Sequence, residues 1–181
     1  MSAGSALLNA RAILAALDVP RGAHVADVGA GRSGHFVFAA ADAVGSDGRV
    51  YAIDILPDAV RMVARAAALR GMAHVVPVWG DVERAGGVAV PDASLDIALL
   101  IHALGALRQH EDAANEIRRC MKPGGKIVVI DWQPDARHPV ATLTDVRPPS
   151  HIADALFAHV GCAKYGEFSP SAWHWGRVYA A

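Results

Sequence analysis

The sequence predicts an α/β fold, an open and mostly parallel sheet with helices on both faces. Three observations predict it. Short apolar runs alternate with helical patterns from Val25 to Ile130. The stretch VADVGAGRSGHFVFAAADAVGSDGRVYAID, Val25 to Asp54, reads as strand, glycine-rich turn, helix, second turn and second strand. Leu95 to Ile101 is almost wholly apolar, as suits a central parallel strand buried on both faces.

The elements follow in order. Leu7, Leu8, Ala10, Ile13, Leu14 and Leu17 recur at helical spacing, so a leading helix is expected over about residues 5–18, ahead of Pro20. The first strand is His24 to Val28, the first crossover helix Phe36 to Val44, and the second strand Arg49 to Ile53, closed by Asp54. Pro57 suits the first turn of a helix that ends at Gly71. His74 to Val78 forms the third strand, and a short helix is expected over Val82 to Ala85. After the fourth strand, Glu111 to Met121 is helical, and Lys122-Pro123-Gly124-Gly125 stops it and turns the chain. The fifth strand is Lys126 to Ile130, ending at Asp131, and His151 to Val160 is a further helix. The last two strands, Cys162 to Glu167 and Trp173 to Tyr179, are joined by too short a link for a parallel crossover, so they pair antiparallel. With no internal repeat and no linker composition, residues 1–181 read as one domain.

Composition narrows the function classes. Apolar and aromatic residues make up 53% and charged residues 19%, which describes a compact globular chain and not a disordered one. The formal net charge of -1 gives no field to draw in nucleic acid or anionic membrane. The start carries no basic segment before its apolar run, and Asn9 and Arg11 interrupt that run, which argues against a signal peptide or transmembrane helix. Cys120 and Cys162 lack metal-ligand spacing and read as buried thiols of a cytoplasmic protein; no metal site is expected.

The glycine turn is where the chemistry gathers. Gly29, Gly31 and Gly34 leave no side chain between loop and ligand, and the helix that follows points unpaired N–H groups at that space. Asp54 ends the next strand on the same sheet edge, where a carboxylate can accept hydrogen bonds from ribose hydroxyls. Gly29-Ala30-Gly31-Arg32-Ser33-Gly34 with Asp54 fits the dinucleotide pattern, so an NAD(P)-binding oxidoreductase is one reading. Asp27 favours another, because an acid there would repel a pyrophosphate.

Asp27, the glycine turn and Asp54 together resemble the first motif of the class I S-adenosylmethionine-dependent methyltransferases. Lys122-Pro123-Gly124-Gly125 and the preceding Glu116-Ile117-Arg118-Arg119 resemble that family's small-molecule branch, the ubiquinone and menaquinone type. The resemblance covers nearly the whole chain from Val25 on, although the family's usual third glycine falls at Ser33, with Gly34 displaced by one. It implies a three-layer, Rossmann-like, seven-stranded methyltransferase sheet of order 3-2-1-4-5-7-6 with the last strand antiparallel. It also implies S-adenosyl-L-methionine as cofactor. Asp27 and Gly29, Ala30 and Gly31 would hold the methionine part, with Gly34 opening the helix, and Asp54 the ribose. Ile55 would lie near the adenine, Asp81 would accept the adenine amino group, and Val82 would offer its amide to a ring nitrogen. Ile101 and His102 would form the floor near the sulfonium, although the family stretch often carries two histidines where this chain has one.

Methyl transfer from a sulfonium needs chiefly that the acceptor be held in line. A base is needed only for an acceptor that must lose a proton, and His102 is the candidate because its ordinary pKa lies near neutrality. His102, Asp131, Trp132 and His151 are the candidates to line the acceptor site, with Trp173 and Trp175 as an apolar wall. The acceptor itself is expected to be a small molecule, and the protein a monomer or homodimer. A chain that keeps the fold but only senses cofactor or binds a partner remains the alternative from outside enzymology.

Overall fold

The computed structural model describes residues 7–107, 110–140 and 146–181. Helix α1 (Ala10–Ala16) is followed by β1 (His24–Val28), α2 (His35–Val44), β2 (Arg49–Asp54), α3 (Pro57–Leu69) and β3 (Val75–Trp79). Then come β4 (Leu95–Ile101), a 3-10 turn at Leu104–Ala106, α4 (His110–Cys120), β5 (Met121–Trp132), α5 (Ser150–His159), β6 (Ala163–Ser171) and β7 (His174–Ala180). The strands form one seven-stranded sheet in the order β3-β2-β1-β4-β5-β7-β6. The pairs from β3 through β5 are parallel, and β7 runs antiparallel to both β5 and β6. That is the predicted topology.

Strand alternation divides the central residues between two cores. Val25, Leu99, Ile101, Val128 and Ile130 pack with α1, α2 and the buried side of α3. Ala26, Val28, Ala98, Leu100 and Val129 pack with α4 and α5 through Ala113, Ile117, Ala153 and Phe157. Helix α2 is buried nearly all round because it lies between the sheet and α1. Its N-cap is Gly34 at φ 56, where a Cβ would come within 2.9 Å of the Phe38 ring and 3.3 Å of Val63. Only glycine allows the loop to press that closely on α3.

Several expected boundaries move, each for a local reason. Helix α1 starts at Ala10, since the Asn9 side chain accepts from the Ala12 amide at 3.1 Å and caps it there. Residues 5 and 6 of the expected helix lie outside the described residues. No helix forms over Val82 to Ala85: turns fill it, because Gly86 donates to the Glu116 carboxylate and not to a helical carbonyl. Lys122 to Gly125 does not precede β5 but interrupts it. Met121 already pairs with Leu95, and the ladder resumes at Lys126 opposite Ile97. The excursion is tied down by Lys122, whose Nζ lies 2.7 Å from Asp96, while Asp96 also accepts from the His24 amide at 2.8 Å. Both sheet edges are marked: Pro77 lies in β3, and Lys164, Glu167 and Pro170 lie in β6. Among the described residues, no helix is long and apolar enough to cross a membrane.

The last three elements are joined by Asp154 of α5. It accepts from the Tyr179 hydroxyl at 2.8 Å, and Arg177 and Lys164 approach it to 3.4 and 3.5 Å. Burial alone would raise the Asp154 carboxyl, but the Tyr179 hydroxyl and the two cations hold it below the ordinary carboxylate range. Its contribution to stability is therefore present above the unfolded pKa and fades as pH falls through the folded value. Y179F is expected to lower stability by about 1–2 kcal/mol at neutral pH. The deficit should shrink on acidification, as read from urea melts at several pH values.

Candidate active site

Strand order reverses between β1 and β4, so the loops leaving these strands part and open a cleft at their carboxyl ends. The glycine loop folds back over β2: the amides of Gly29 and Ala30 donate to the Ile53 carbonyl at 2.9 and 3.0 Å. The Gly31 amide then donates to Asp54 Oδ2 at 2.8 Å, and the Leu56 amide to Asp54 Oδ1 at 2.9 Å. Gly31 holds φ 64, and a Cβ there would meet only the Gly29 carbonyl oxygen at 4.0 Å, so the loop presents bare backbone to the cleft. Each Asp54 oxygen keeps a further lone pair for a hydroxyl. Arg32 points outward, 3.9 Å from Asp58.

Asp27 is the second carboxylate at this end and is 4% exposed. Burial, and then the charge of Asp54, push its carboxyl up to about 7, against a hydrogen bond from the Val37 amide. A desolvated acid of this kind is stabilised by a cationic partner. A methionine ammonium beside Asp27 and a ribose on Asp54 therefore fit the residues present.

Beyond Asp54, Ile55 and Leu56 form an exposed apolar turn, and the Trp79 indole donates to the Ile55 carbonyl at 2.9 Å. Nothing in the local pattern of the third strand marks Trp79 as a partner of that turn. Asp81 Oδ1 accepts from the Glu83 amide at 3.0 Å, while Val82 is buried in the core. Ile101 is buried at the end of β4.

The other end of the cleft is a stack of rings. His102 follows β4 in the left-handed region, φ 52, with its amide donating to the Ile130 carbonyl at 2.8 Å. Its ring stacks on Trp132 at 5.2 Å and 9° and lies 4.9 Å from His174, which is itself 4.2 Å from Trp132. His138 and Trp173 extend the stack outward. Ser171 Oγ hydrogen-bonds His174 Nδ1 at 2.6 Å. The expectation that His102 titrates near neutrality is corrected: burial, and then His174, push it down to about 3. His174 falls to about 4, through burial and then His138.

The expected acceptor residues do not all come together. Trp132 joins His102, but Asp131 points to the opposite face, where it accepts from the Trp132 amide at 2.8 Å and burial pushes its carboxyl up to about 7. Trp175 shares that face, its indole donating to the Pro148 carbonyl at 3.0 Å, so the three tryptophans make no common wall. His151 stands exposed in the first turn of α5. His174 was missed, although the pattern Trp173-His174-Trp175 at a strand start puts the histidine on the face opposite Trp175. Among the described residues, no group of three or more His, Cys, Asp or Glu is placed to hold a metal ion.

Known proteins resemble this chain in sequence and in fold. A family model described as a methyltransferase domain matches residues 20–168. The chain is 29% identical over 115 residues to a demethylmenaquinone methyltransferase of Anoxybacillus flavithermus, covering 64% of this chain and 47% of that one. It is 34% identical over 118 residues to the nocamycin O-methyltransferase of Saccharothrix syringae, covering 65% and 41%. The chain thus spans under half the length of these two relatives. The crystal structure of a SAM-dependent methyltransferase from Aquifex aeolicus shares the fold, with a TM-score of 0.83 at 20% identity over 96% of this chain and 90% of that one. A family match across residues 20–168, on a sheet of this strand order, makes the chain a member of the class I S-adenosylmethionine-dependent methyltransferases.

Proposed function

We propose that this protein transfers a methyl group from S-adenosylmethionine to a small-molecule acceptor. The observation that carries the reading is the pair of unlike carboxylates at the switch point: Asp54, bonded to two loop amides, and Asp27, buried with no cation beside it among the described residues. The cofactor supplies an activated methyl on a sulfonium, so the protein's task is placement. Asp27 holds the ammonium, Asp54 the ribose hydroxyls, and Gly29 to Gly31 let the backbone approach. Ile55, Asp81 and Val82 receive the adenine, and Ile101 and His102 stand beneath the sulfonium. The short segment after β4 supports a small acceptor, and the buried thiols Cys120 and Cys162 support a cytoplasmic setting.

The acceptor end favours positioning over proton transfer. A neutral imidazole whose basicity is this low is a poor base at neutral pH. We assign His102, pinned between Trp132 and His174, the role of a wall that fixes the acceptor against the methyl.

Four measurements test these roles. Calorimetric titration with S-adenosylhomocysteine and NAD in parallel should show binding of the first alone; tight NAD binding with no response to the homocysteine compound overturns the reading. D54N should weaken S-adenosylhomocysteine by ~1.5–3 kcal/mol, the scale of hydrogen bonds to a charged acceptor.

Asp27 gives a pH signature. The ligand's ammonium prefers the ionised acid, so affinity should rise with pH through about 7 and binding below that pH should release a proton. D27N should remove the slope. A wild-type affinity flat from about pH 6 to 8 would place the ammonium elsewhere.

For His102, with a methyl acceptor in hand, turnover should show no limb belonging to this residue near the ordinary histidine value of about 6.5. H102Q should cost less than about 10-fold in kcat. A loss of ~10² to 10⁴ together with disappearance of a neutral pH limb would restore the role of base.

A further inference from the structure

Glu116 belongs to α4, on the sheet face opposite α2, yet it is 3% exposed and its charge is fully engaged. Its Oε2 accepts from the Gly86 amide at 2.9 Å and its Oε1 from the Val88 amide at 3.2 Å. Arg119 grips both oxygens, Nε to Oε2 at 2.9 Å and Nη2 to Oε1 at 2.7 Å. The same guanidinium reaches the carbonyls of Val90 and Val88 at 3.0 and 3.3 Å and the carboxylate of Asp92. An i,i+3 pair on a helix needs none of these loop contacts. The pair is built to hold the segment 86–92.

That segment is in hard contact with the adenine end of the cleft. The Asp81 amide donates to the Gly87 carbonyl at 3.1 Å, and the Gly80 amide to the Asp54 carbonyl at 3.2 Å. A Cβ at Gly87 would stand 2.1 Å from the Asp81 carbonyl oxygen, and one at Gly80 would stand 2.7 Å from the Gly87 carbonyl oxygen. Backbone lies on backbone with no side chain to absorb a shift, so the position of 86–88 is passed directly to Asp81 and Val82. Hydrogen bonds from Arg119, opposed by burial, hold the Glu116 carboxyl below its ordinary range, and the clamp stays ionised at neutral pH.

We propose that Glu116, locked by Arg119, is a positioning residue for the adenine half of the cofactor site, acting through Gly86–Val88 on Asp81 and Val82. This rests on the reading of Asp81 and Val82 given above. E116Q keeps the volume but replaces one acceptor oxygen with a donor that opposes a loop amide or Arg119. Its affinity should be compared with wild type for two ligands: S-adenosylhomocysteine, and S-ribosylhomocysteine, which lacks the adenine. E116Q should weaken S-adenosylhomocysteine by ~10- to 100-fold, the effect of losing hydrogen bonds to a charged group, and leave S-ribosylhomocysteine unchanged. R119K, which keeps the charge but loses the planar fork, should show the same selectivity and serves if E116Q fails to fold. Equal weakening of both ligands would reduce Glu116 to a general stabiliser and overturn the proposal, as would unchanged binding of both. A wild-type protein indifferent to S-adenosylhomocysteine sinks the functional reading instead.

Discussion

The glycine-loop end of the cleft depends on one carboxylate. Asp54 binds the Gly31 amide on one oxygen and the Leu56 amide on the other, so the loops after β1 and β2 are fixed to each other before any ligand arrives. That closure needs the left-handed backbone that glycine adopts readily at Gly31 and a strand that ends on an acid. It also sets the electrostatics. Asp27 is desolvated, accepts from the Val37 amide and feels the charge of Asp54, so the cleft contains one acid braced by two loop amides and one whose charged form is disfavoured. A ligand bearing a cation at one end and hydroxyls at the other answers both.

The two ends of the cleft are built from different materials. The glycine-loop end uses main-chain amides and short acids, which hold their places because the backbone is continuous with the sheet. The opposite end uses stacked rings from β4, β5 and β7, brought together because β7 inserts beside β5 and sets His174 opposite Trp132 in the register. Rings in such a stack shield one another from water and hold the imidazoles neutral. Stiffness and low polarity suit a reaction whose driving force is carried by the cofactor and whose requirement is alignment.

Much of this was legible in the sequence because it was local. Glycines at fixed offsets, the acid closing the second strand and the apolar run of β4 each express a backbone requirement within a few residues. What escaped was set by partners remote in the chain. The excursion at Lys122 to Gly125 lies inside a strand only because Met121 finds Leu95. The turns after Val82 are decided by Glu116 on another helix. Asp131 and Trp132 are neighbours in sequence but face opposite sides of the sheet, so they serve different ends. His102 was placed at the right strand end, but its titration is governed by burial and by a histidine from β7.

The marked sheet edges have a consequence for the protein at high concentration. A strand from another molecule approaching β3 meets Pro77, which has no amide hydrogen to give, and one approaching β6 meets Pro170 between the charges of Lys164 and Glu167 and the hairpin tip. Neither rim offers an uninterrupted template for cross-β growth. Edge-to-edge growth of the sheet is therefore disfavoured at both rims, away from the valine- and isoleucine-rich strands at its centre.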